Sequence, residues 1–301
     1  MPLSKDTLKA RINNAIRNKV DPDSISPDDL SDRLFEICDS CMMEPMDVFL
    51  IAGQSNARGM SGPTGAANSP DPTPGTIYQF GNTQFLEVNN EVGDANTGSI
   101  WPSFGITWNM MTTRKICFVP RARNATALSI KANTGDGYWG EGPASFFQDS
   151  VDNINGALAR LTQEGYDPKF RGVLWSQGEN DAYAINRAVM TKQDYIDEFA
   201  ILLSKYRAIY GSNMPFYIIK TGTRTGSPGP LTDVAGYQDI QDAQEQIAAA
   251  DPLRTKIIYR STTEFHDRGL MMSDGVHYGQ LANNEIGRTS PGVILGGVAP
   301  I

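Results

Sequence analysis

Short runs of apolar residues recur along the chain, and their character indicates strands of a parallel sheet. The first run, residues 46–52, follows a proline and ends at Gly53. Strands that are buried on both faces are apolar throughout instead of alternating with polar residues. Four further runs of this kind occupy residues 116–119, 172–175, 216–219 and 256–259. The pattern therefore predicts five buried strands.

Helical periodicity separates these runs. Apolar residues fall three or four positions apart over residues 145–164 and 192–210, as they do in a helix that packs one face on a core. Because strands and helices alternate, we expect an α/β fold with a mostly parallel sheet. Beyond Asn284 the chain is rich in turn formers and aliphatic residues, which predicts only a short closing helix.

Residues 1–45 are predicted to be a separate N-terminal helical appendage to a main domain at residues 46–301. Leu8, Ile12 and Ile16, and later Leu30 and Leu34, follow the helical period. The turn-forming residues 21–27 separate the two helices. We expect these helices and the tail to make contacts outside the main domain, as in a homo-oligomer or a virion. A tail that packs on its own subunit is the alternative.

Composition narrows the classes of partner. The formal net charge is -8 and no basic run occurs, whereas nucleic-acid binding requires Lys and Arg that neutralise phosphates. The first residues lack the apolar core of a signal peptide, and no apolar stretch could span a bilayer. We expect synthesis in the cytoplasm and no nucleic-acid or membrane partner, with association with a virion as a further hypothesis.

Three cysteines and two histidines limit metal and redox chemistry. Cys38 and Cys41 are close together and Cys117 is isolated, which is no disulfide framework. The Cys38–Cys41 spacing suits a redox pair or half a zinc site, but a second pair of ligands is lacking. Buried or helix-end cysteines, and no metal, are the expectation.

Ser55 is the first candidate for chemistry, because it directly follows the first strand, where open parallel sheets bind ligands. A serine there can also simply cap a helix. A nucleophilic serine needs a histidine base and a carboxylate that orients it. His277 has Asp274 three residues before it, so one turn can supply both groups. His266 has only the adjacent Asp267, and adjacent side chains generally point apart.

Three ordered blocks carry a resemblance to a known family: Gly-Gln-Ser-Asn at 53–56, Trp-Ser-Gln-Gly-Glu-Asn-Asp at 175–181 and Asp-Gly-Val-His at 274–277. Over about residues 46–287 the chain resembles the sialate O-acetylesterase and acetylxylan esterase-like SGNH hydrolases of carbohydrate esterase family six and its relatives. The resemblance implies a three-layer, flavodoxin-like α/β/α fold, hydrolysis of O-acetyl esters on sugars, and no metal or organic cofactor. It implies Ser55 as nucleophile, His277 as base and Asp274 as the residue that orients it.

The resemblance also implies donors for the oxyanion. The side-chain amide of Gln177 would act beside the backbone N–H of Ser55; alternatively, Gln177 is a buried polar residue that stabilises its own loop. A further donor comes in relatives from a Gly-Gly-Thr motif, which we match to residues 132–139, with Gly135 as the nearest glycine and Asn133 as the alternative. We expect Glu179 and Asp181 to brace loops.

Two classes of function remain from the sequence. The first is a carbohydrate O-acetylesterase that acts on acetylated carbohydrate through an acetyl-serine intermediate. The second is a structural or attachment component of an assembly, such as a virion, with an esterase-like fold; fold alone does not separate them. A lipase or thioesterase ranks lowest, because the loops are polar.

Overall fold

A single mixed sheet forms the centre of the protein. The computed structural model describes residue 11 and residues 43–62, 68–81, 84–87, 97–223 and 234–296. Its strands are β1 (Glu44–Gly53), β2 (Ile77–Gly81), β3 (Gln84–Glu87), β4 (Lys115–Pro120), β5 (Tyr166–Ser176), β6 (Phe216–Ile219) and β7 (Thr255–Tyr259). Within the described residues the sheet has the order β3-β2-β4-β1-β5-β6-β7. Only β2 and β3 pair antiparallel. The mostly parallel α/β fold and all five predicted strands are confirmed.

Helices cover both faces of this sheet. They are α1 (Ser55–Arg58), α2 (Trp101–Thr112), α3 (Phe146–Gln163), α4 (Glu179–Asn186), α5 (Lys192–Tyr210), α6 (Val234–Ala250) and α7 (Gln280–Ile294), with 3-10 turns at Ile130–Ala132 and Ser261–Glu264. The helices predicted over 145–164 and 192–210 correspond to α3 and α5. The β2–β3 hairpin and helices α2, α4 and α6 were not anticipated.

The side chains of β1 show how the layers form. Val48 and Leu50 belong to one buried cluster, which α3, α5 and α6 cover. Phe49 and Ile51, which alternate with them, belong to a second cluster that α2 and α7 cover. Successive side chains of a strand point to opposite faces, so the fully apolar run of β1 is explained by a core on each side. The three-layer arrangement follows directly.

The strand order determines where a ligand can enter. From the central β1 the chain first forms β2, β3 and β4 on one side of the sheet and later β5, β6 and β7 on the other. With β4, β1, β5, β6 and β7 as neighbours, the order is that of flavodoxin-like sheets, in which ligands bind beyond the carboxyl ends of the strands where the direction reverses. This position is the loop after Gly53, between the ends of β4 and β5.

The closing helix is longer than the sequence indicated. Helix α7 has 15 residues and continues through Pro291. Close packing explains the difference: a Cβ at Gly287 would lie 2.5 Å from the carbonyl oxygen of Ile100 and 2.6 Å from Cβ of Ser103, so glycine lets α7 approach the start of α2. Ser290, Pro291 and Val293 are buried there. As far as residue 296, the tail therefore packs on its own domain, which was the alternative interpretation.

The predicted N-terminal appendage lies almost entirely outside the described residues. Of residues 1–45, the structure describes Arg11 and residues 43–45. The two helices, the Cys38–Cys41 pair and any assembly through this segment therefore stay predictions. No described helix combines the length and the apolar character needed to cross a membrane.

Candidate active site

Ser55 lies at the turn between β1 and α1, at the carboxyl edge of the sheet. Gly53 has φ = 118°, and a Cβ there would lie 2.1 Å from the carbonyl oxygen of Ser176 at the end of β5. Only glycine accommodates both this conformation and this close approach. Gln54 then donates its backbone N–H to the same oxygen at 2.9 Å. The turn places Ser55 at the first position of α1, where 5% of the residue is exposed.

Neighbouring loops hold this turn in place. The carbonyl oxygen of Gly53 accepts hydrogen bonds from the backbone N–H of Arg123 at 3.1 Å, from Oγ1 of Thr126 at 3.1 Å and from Nε1 of Trp139 at 3.2 Å. On the other side, Nε1 of Trp101 donates to the carbonyl oxygen of Ala57 at 2.6 Å. Buried donors on both sides therefore restrict the position of Ser55.

A second tight loop, between β7 and α7, carries His277. Gly275 has φ = 68°, and its N–H donates to the carbonyl oxygen of Met272 at 3.0 Å. Oδ1 of Asp274 accepts the backbone N–H groups of Val276 and His277, each at 2.9 Å. Asp274 thereby folds the loop back on itself, and its second oxygen is left facing the imidazole.

The structure brings Ser55, His277 and Asp274 into one hydrogen-bonded chain. Nε2 of His277 lies 2.8 Å from Oγ of Ser55, and Nδ1 lies 2.7 Å from Oδ2 of Asp274. Burial opposes ionisation of Asp274, but the hydrogen bonds from His277 and Val276 outweigh it and lower the pKa of this carboxyl. An ionised Asp274 favours the tautomer with the proton on Nδ1, which leaves Nε2 free to accept the hydroxyl proton.

Gln177 follows the alternative interpretation, that of a buried polar residue that stabilises its own loop. Its Nε2 donates to the carbonyl oxygen of Thr126 at 3.3 Å and to Oδ2 of Asp181. Both amide hydrogens are therefore occupied, and the side chain is fully buried. Asp181 accepts in addition the N–H groups of Leu128 and Ser129, and burial raises its pKa to about 6. In this conformation Gln177 has no hydrogen left for an oxyanion.

Gly135 is also engaged elsewhere. Its backbone N–H donates to Oδ1 of Asn133 at 3.0 Å, and Oδ1 of the same asparagine accepts from the N–H of Gly137 at 2.9 Å. Asn133 and Gly135 thus stabilise their own turn, and the N–H of Gly135 is occupied there.

The segment directly after β4, residues 121–126, is the neighbour that the sequence reasoning missed. It contacts the Ser55 turn through Arg123 and Thr126, and Ala125 adopts φ = 53°, a conformation typical of glycine. Within the described residues, the N–H groups of Asn124 and Ala125 donate to no protein acceptor. The glycine of the matched motif points to Gly135. The sequence signal that points to residues 121–126 is their position directly after a strand, where reactive loops of parallel sheets lie.

Other candidate residues lie apart from this chain of hydrogen bonds. His266 is about half exposed and pairs with Asp267, with Nδ1 at 3.2 Å from Oδ1. Cys117 is buried in β4, and burial raises the pKa of its thiol. Among the described residues, no group of three or more His, Cys, Asp or Glu side chains is arranged to hold a metal ion.

Comparison with known proteins identifies a family for this chain. A model of the family described as carbohydrate esterase, sialic acid-specific acetylesterase, matches residues 45–290. A search of curated proteins found no match. Similar solved structures include a protein from Arabidopsis thaliana, 15% identical, with a TM-score of 0.58 over 85% of this chain and 100% of that chain. NanS is 17% identical, with a TM-score of 0.55 over 85% of this chain and 98% of that chain. At these identities the structural likeness concerns the fold.

Proposed function

The chain belongs to the sialic acid-specific acetylesterase family of carbohydrate esterases, and from this premise we propose that it removes O-acetyl groups from carbohydrates through an acetyl-serine intermediate. The observation that carries the proposal is the continuous contact from Oγ of Ser55 through the imidazole of His277 to the carboxylate of Asp274, at 2.8 Å and 2.7 Å. The first distance is in the range required for proton transfer from a nucleophile to its base, and the second lets the carboxylate orient the imidazole.

The first half of the reaction forms the acyl-enzyme. Oγ of Ser55 attacks the acetyl carbonyl carbon while Nε2 of His277 takes the hydroxyl proton, and Asp274 stabilises the imidazolium. The tetrahedral intermediate then expels the sugar oxygen, which receives the proton from Nε2. The products of this half are the deacetylated sugar and acetyl-Ser55.

The second half reverses the roles. Water gives a proton to Nε2 of His277 and attacks the acetyl carbon, and collapse of the second tetrahedral intermediate returns the proton to Oγ of Ser55 and releases acetate. The atoms balance as ester plus water to alcohol plus acid. Within the protein, the proton transfers of this cycle involve only Ser55 and His277.

The oxyanion of both intermediates needs donors other than Gln177. The backbone N–H of Ser55, at the first position of α1, is one. The segment 121–126 supplies the other in this proposal, because the N–H groups of Asn124 and Ala125, beside the nucleophile turn, donate to no acceptor in the part of the chain that the structure describes. Preorganised backbone donors of this kind typically contribute about 10²–10³-fold in rate each.

The test is hydrolysis by the wild type and by Ser55→Ala. We expect the wild type to release acetate from acetylated sialic acid or acetylated xylo-oligosaccharides, followed by mass spectrometry, and Ser55→Ala to lose several powers of ten in kcat. A fluorophosphonate should label the wild type at Ser55. His266→Gln is the matched control and should keep full activity. Near-normal turnover by Ser55→Ala would refute the assignment of the nucleophile.

A further inference from the structure

The side chain of Asn56, the residue after Ser55, contacts the backbone on both sides of His277. Its Oδ1 accepts the N–H of Tyr278 at 3.1 Å, and its Nδ2 donates to the carbonyl oxygen of Val276 at 3.2 Å. Asn56 is 3% exposed. One side chain therefore joins the helix that carries Ser55 to the loop that carries His277, 222 residues later in the chain.

Glu179 determines which way this amide faces. Its Oε1 accepts from Nδ2 of Asn56 at 2.7 Å. Oε1 is the acceptor in this bond, so a rotated amide would place its oxygen against Oε1 of Glu179 and against the carbonyl oxygen of Val276. The carboxylate thus selects the one orientation in which Asn56 bonds to both neighbours of His277.

Holding Glu179 in this place is unfavourable for folding. The residue is 3% exposed, burial raises the pKa of its carboxyl, and Oε2 has no hydrogen-bond partner among the described residues. Buried polar atoms without partners are uncommon in native proteins, because burial removes their hydrogen bonds to water without replacement. A contribution to stability therefore does not explain the carboxyl, whereas its contact with Asn56 connects it to the reacting groups.

We infer that Asn56 and Glu179 are positioning residues that hold Nε2 of His277 within hydrogen-bond distance of Oγ of Ser55. The inference rests on the proposed function. Glu179 comes from α4, which follows β5, so three separate segments (the turn after β1, the start of α4 and the loop before α7) are joined at this point. Neither residue contacts the acetyl group in this role; both act through the backbone beside His277.

The experiment compares Asn56→Ala, Glu179→Ala and Glu179→Gln in the full chain with 4-nitrophenyl acetate as substrate. A displacement of about 1 Å between reacting groups can cost about 10²-fold in rate. We expect Asn56→Ala and Glu179→Ala to lower kcat by about that factor, with KM changed less than about twofold. Glu179→Gln keeps an oxygen for Nδ2 of Asn56, so it should recover about tenfold of the loss seen in Glu179→Ala.

Asp47→Asn is the matched control. Asp47 is a fully buried carboxylate that binds Arg114 and Arg171 at the amino end of β1, about 20 Å of strand from Gly53. It should lower the melting temperature and leave kcat unchanged. If Asn56→Ala gives no cooperative melting transition, the two Glu179 variants test the positioning role alone. Fluorophosphonate should then label Ser55 more slowly in Glu179→Ala than in Glu179→Gln.

Two results would overturn the inference while leaving the proposed function intact. One is a kcat for Asn56→Ala and Glu179→Ala within about threefold of an active wild type whose Ser55→Ala variant is inert. The other is equal kcat for Glu179→Gln and Glu179→Ala. An inactive wild type that fluorophosphonate does not label at Ser55 would instead refute the proposed function, and the inference with it.

Discussion

Substitution of Asp274 by asparagine should impair the protein more than substitution by alanine. In Asp274→Asn the side-chain oxygen can still accept the two backbone N–H groups that Oδ1 binds at 2.9 Å, so the loop keeps its fold. The NH₂ group then faces Nδ1 of His277. Because NH₂ only donates, Nδ1 must become an acceptor and the ring proton moves to Nε2, the atom that has to accept the proton of Ser55.

The geometry gives the magnitude. The bond of 2.7 Å between Nδ1 and Oδ2 is charge-assisted in the imidazolium state, and its loss costs about 1.5–3 kcal/mol. Breaking the new amide bond to restore the reactive tautomer costs about 1 kcal/mol more. Together these terms lower kcat by about 10²–10³-fold. In Asp274→Ala, water can replace the half-exposed carboxylate both at Nδ1 of His277 and at the two exposed backbone N–H groups of the loop. The reactive tautomer remains accessible, so we expect a loss of about 10–10²-fold.

The assay is kcat for 4-nitrophenyl acetate near pH 7.5 together with the ¹H–¹⁵N spectrum of the imidazole nitrogens. The chain contains two histidines, and His266→Gln assigns their signals. In Asp274→Asn the proton of His277 should lie on Nε2. Activity of Asp274→Asn equal to or above that of Asp274→Ala, or a proton retained on Nδ1, would refute the reasoning.

Four further predictions follow from other parts of the structure. Gly53→Ala should lower stability and activity, both through backbone strain of about 1–3 kcal/mol and through the 2.1 Å approach of the new Cβ to the carbonyl oxygen of Ser176. Gly211→Ala is the control for strain alone, since Gly211 has φ = 101° and no atom within 4 Å of the new Cβ. Equal melting temperatures for the two variants would contradict the prediction. Burial raises the pKa of Asp181 to about 6, so between about pH 4 and 6 the folded protein holds a proton that the unfolded chain has lost. The free energy of unfolding of the wild type should therefore fall by about 3 kcal/mol relative to Asp181→Asn over this range, and stay level above it. Urea unfolding at several pH values measures this difference, and parallel pH curves for the two proteins would contradict the prediction. EDTA should leave the rate unchanged, and loss of activity that added metal restores would show a metal requirement. Deletion of residues 1–42 keeps β1 intact, since Glu44 is its first residue, and should leave the activity on a soluble ester unchanged. Rate measurements on the full-length and the truncated protein test this, and light scattering compares their oligomeric states.

Local patterns predicted much of this fold, because strand burial, helix capping and tight turns each depend on residues that are close in sequence. The five central strands were recognisable as apolar runs, since each is buried on both faces. Helix α5 has the predicted bounds, and a capping box at Thr191 and Asp194 starts it. Asp274 and His277 are three residues apart, so one tight loop suffices to bring them together.

The elements that were missed depend on packing more than on their own pattern. Helix α7 passes through Pro291 because Gly287 lets it lie close against α2, and this contact cannot be read from either segment alone. The short β2–β3 hairpin extends the sheet beyond β4 and is likewise stabilised by its neighbour. Helix α6 is a different case, since Tyr237, Ile240 and Ile247 do follow the helical period and could have been recognised.

The sequence by itself determined which residues carry candidate chemistry, and the tertiary structure decided which of them meet. The amide of Gln177 is occupied by Thr126, 51 residues away, and that of Asn56 is oriented by Glu179, 123 residues away. Local spacing contains no information about such partners, because a hydrogen bond between distant segments depends on how the strands order themselves in the sheet. A side chain with few donors can serve only the partners that the fold presents to it. For this reason the oxyanion donors and the support of His277 that we propose rest on contacts that only the tertiary structure shows.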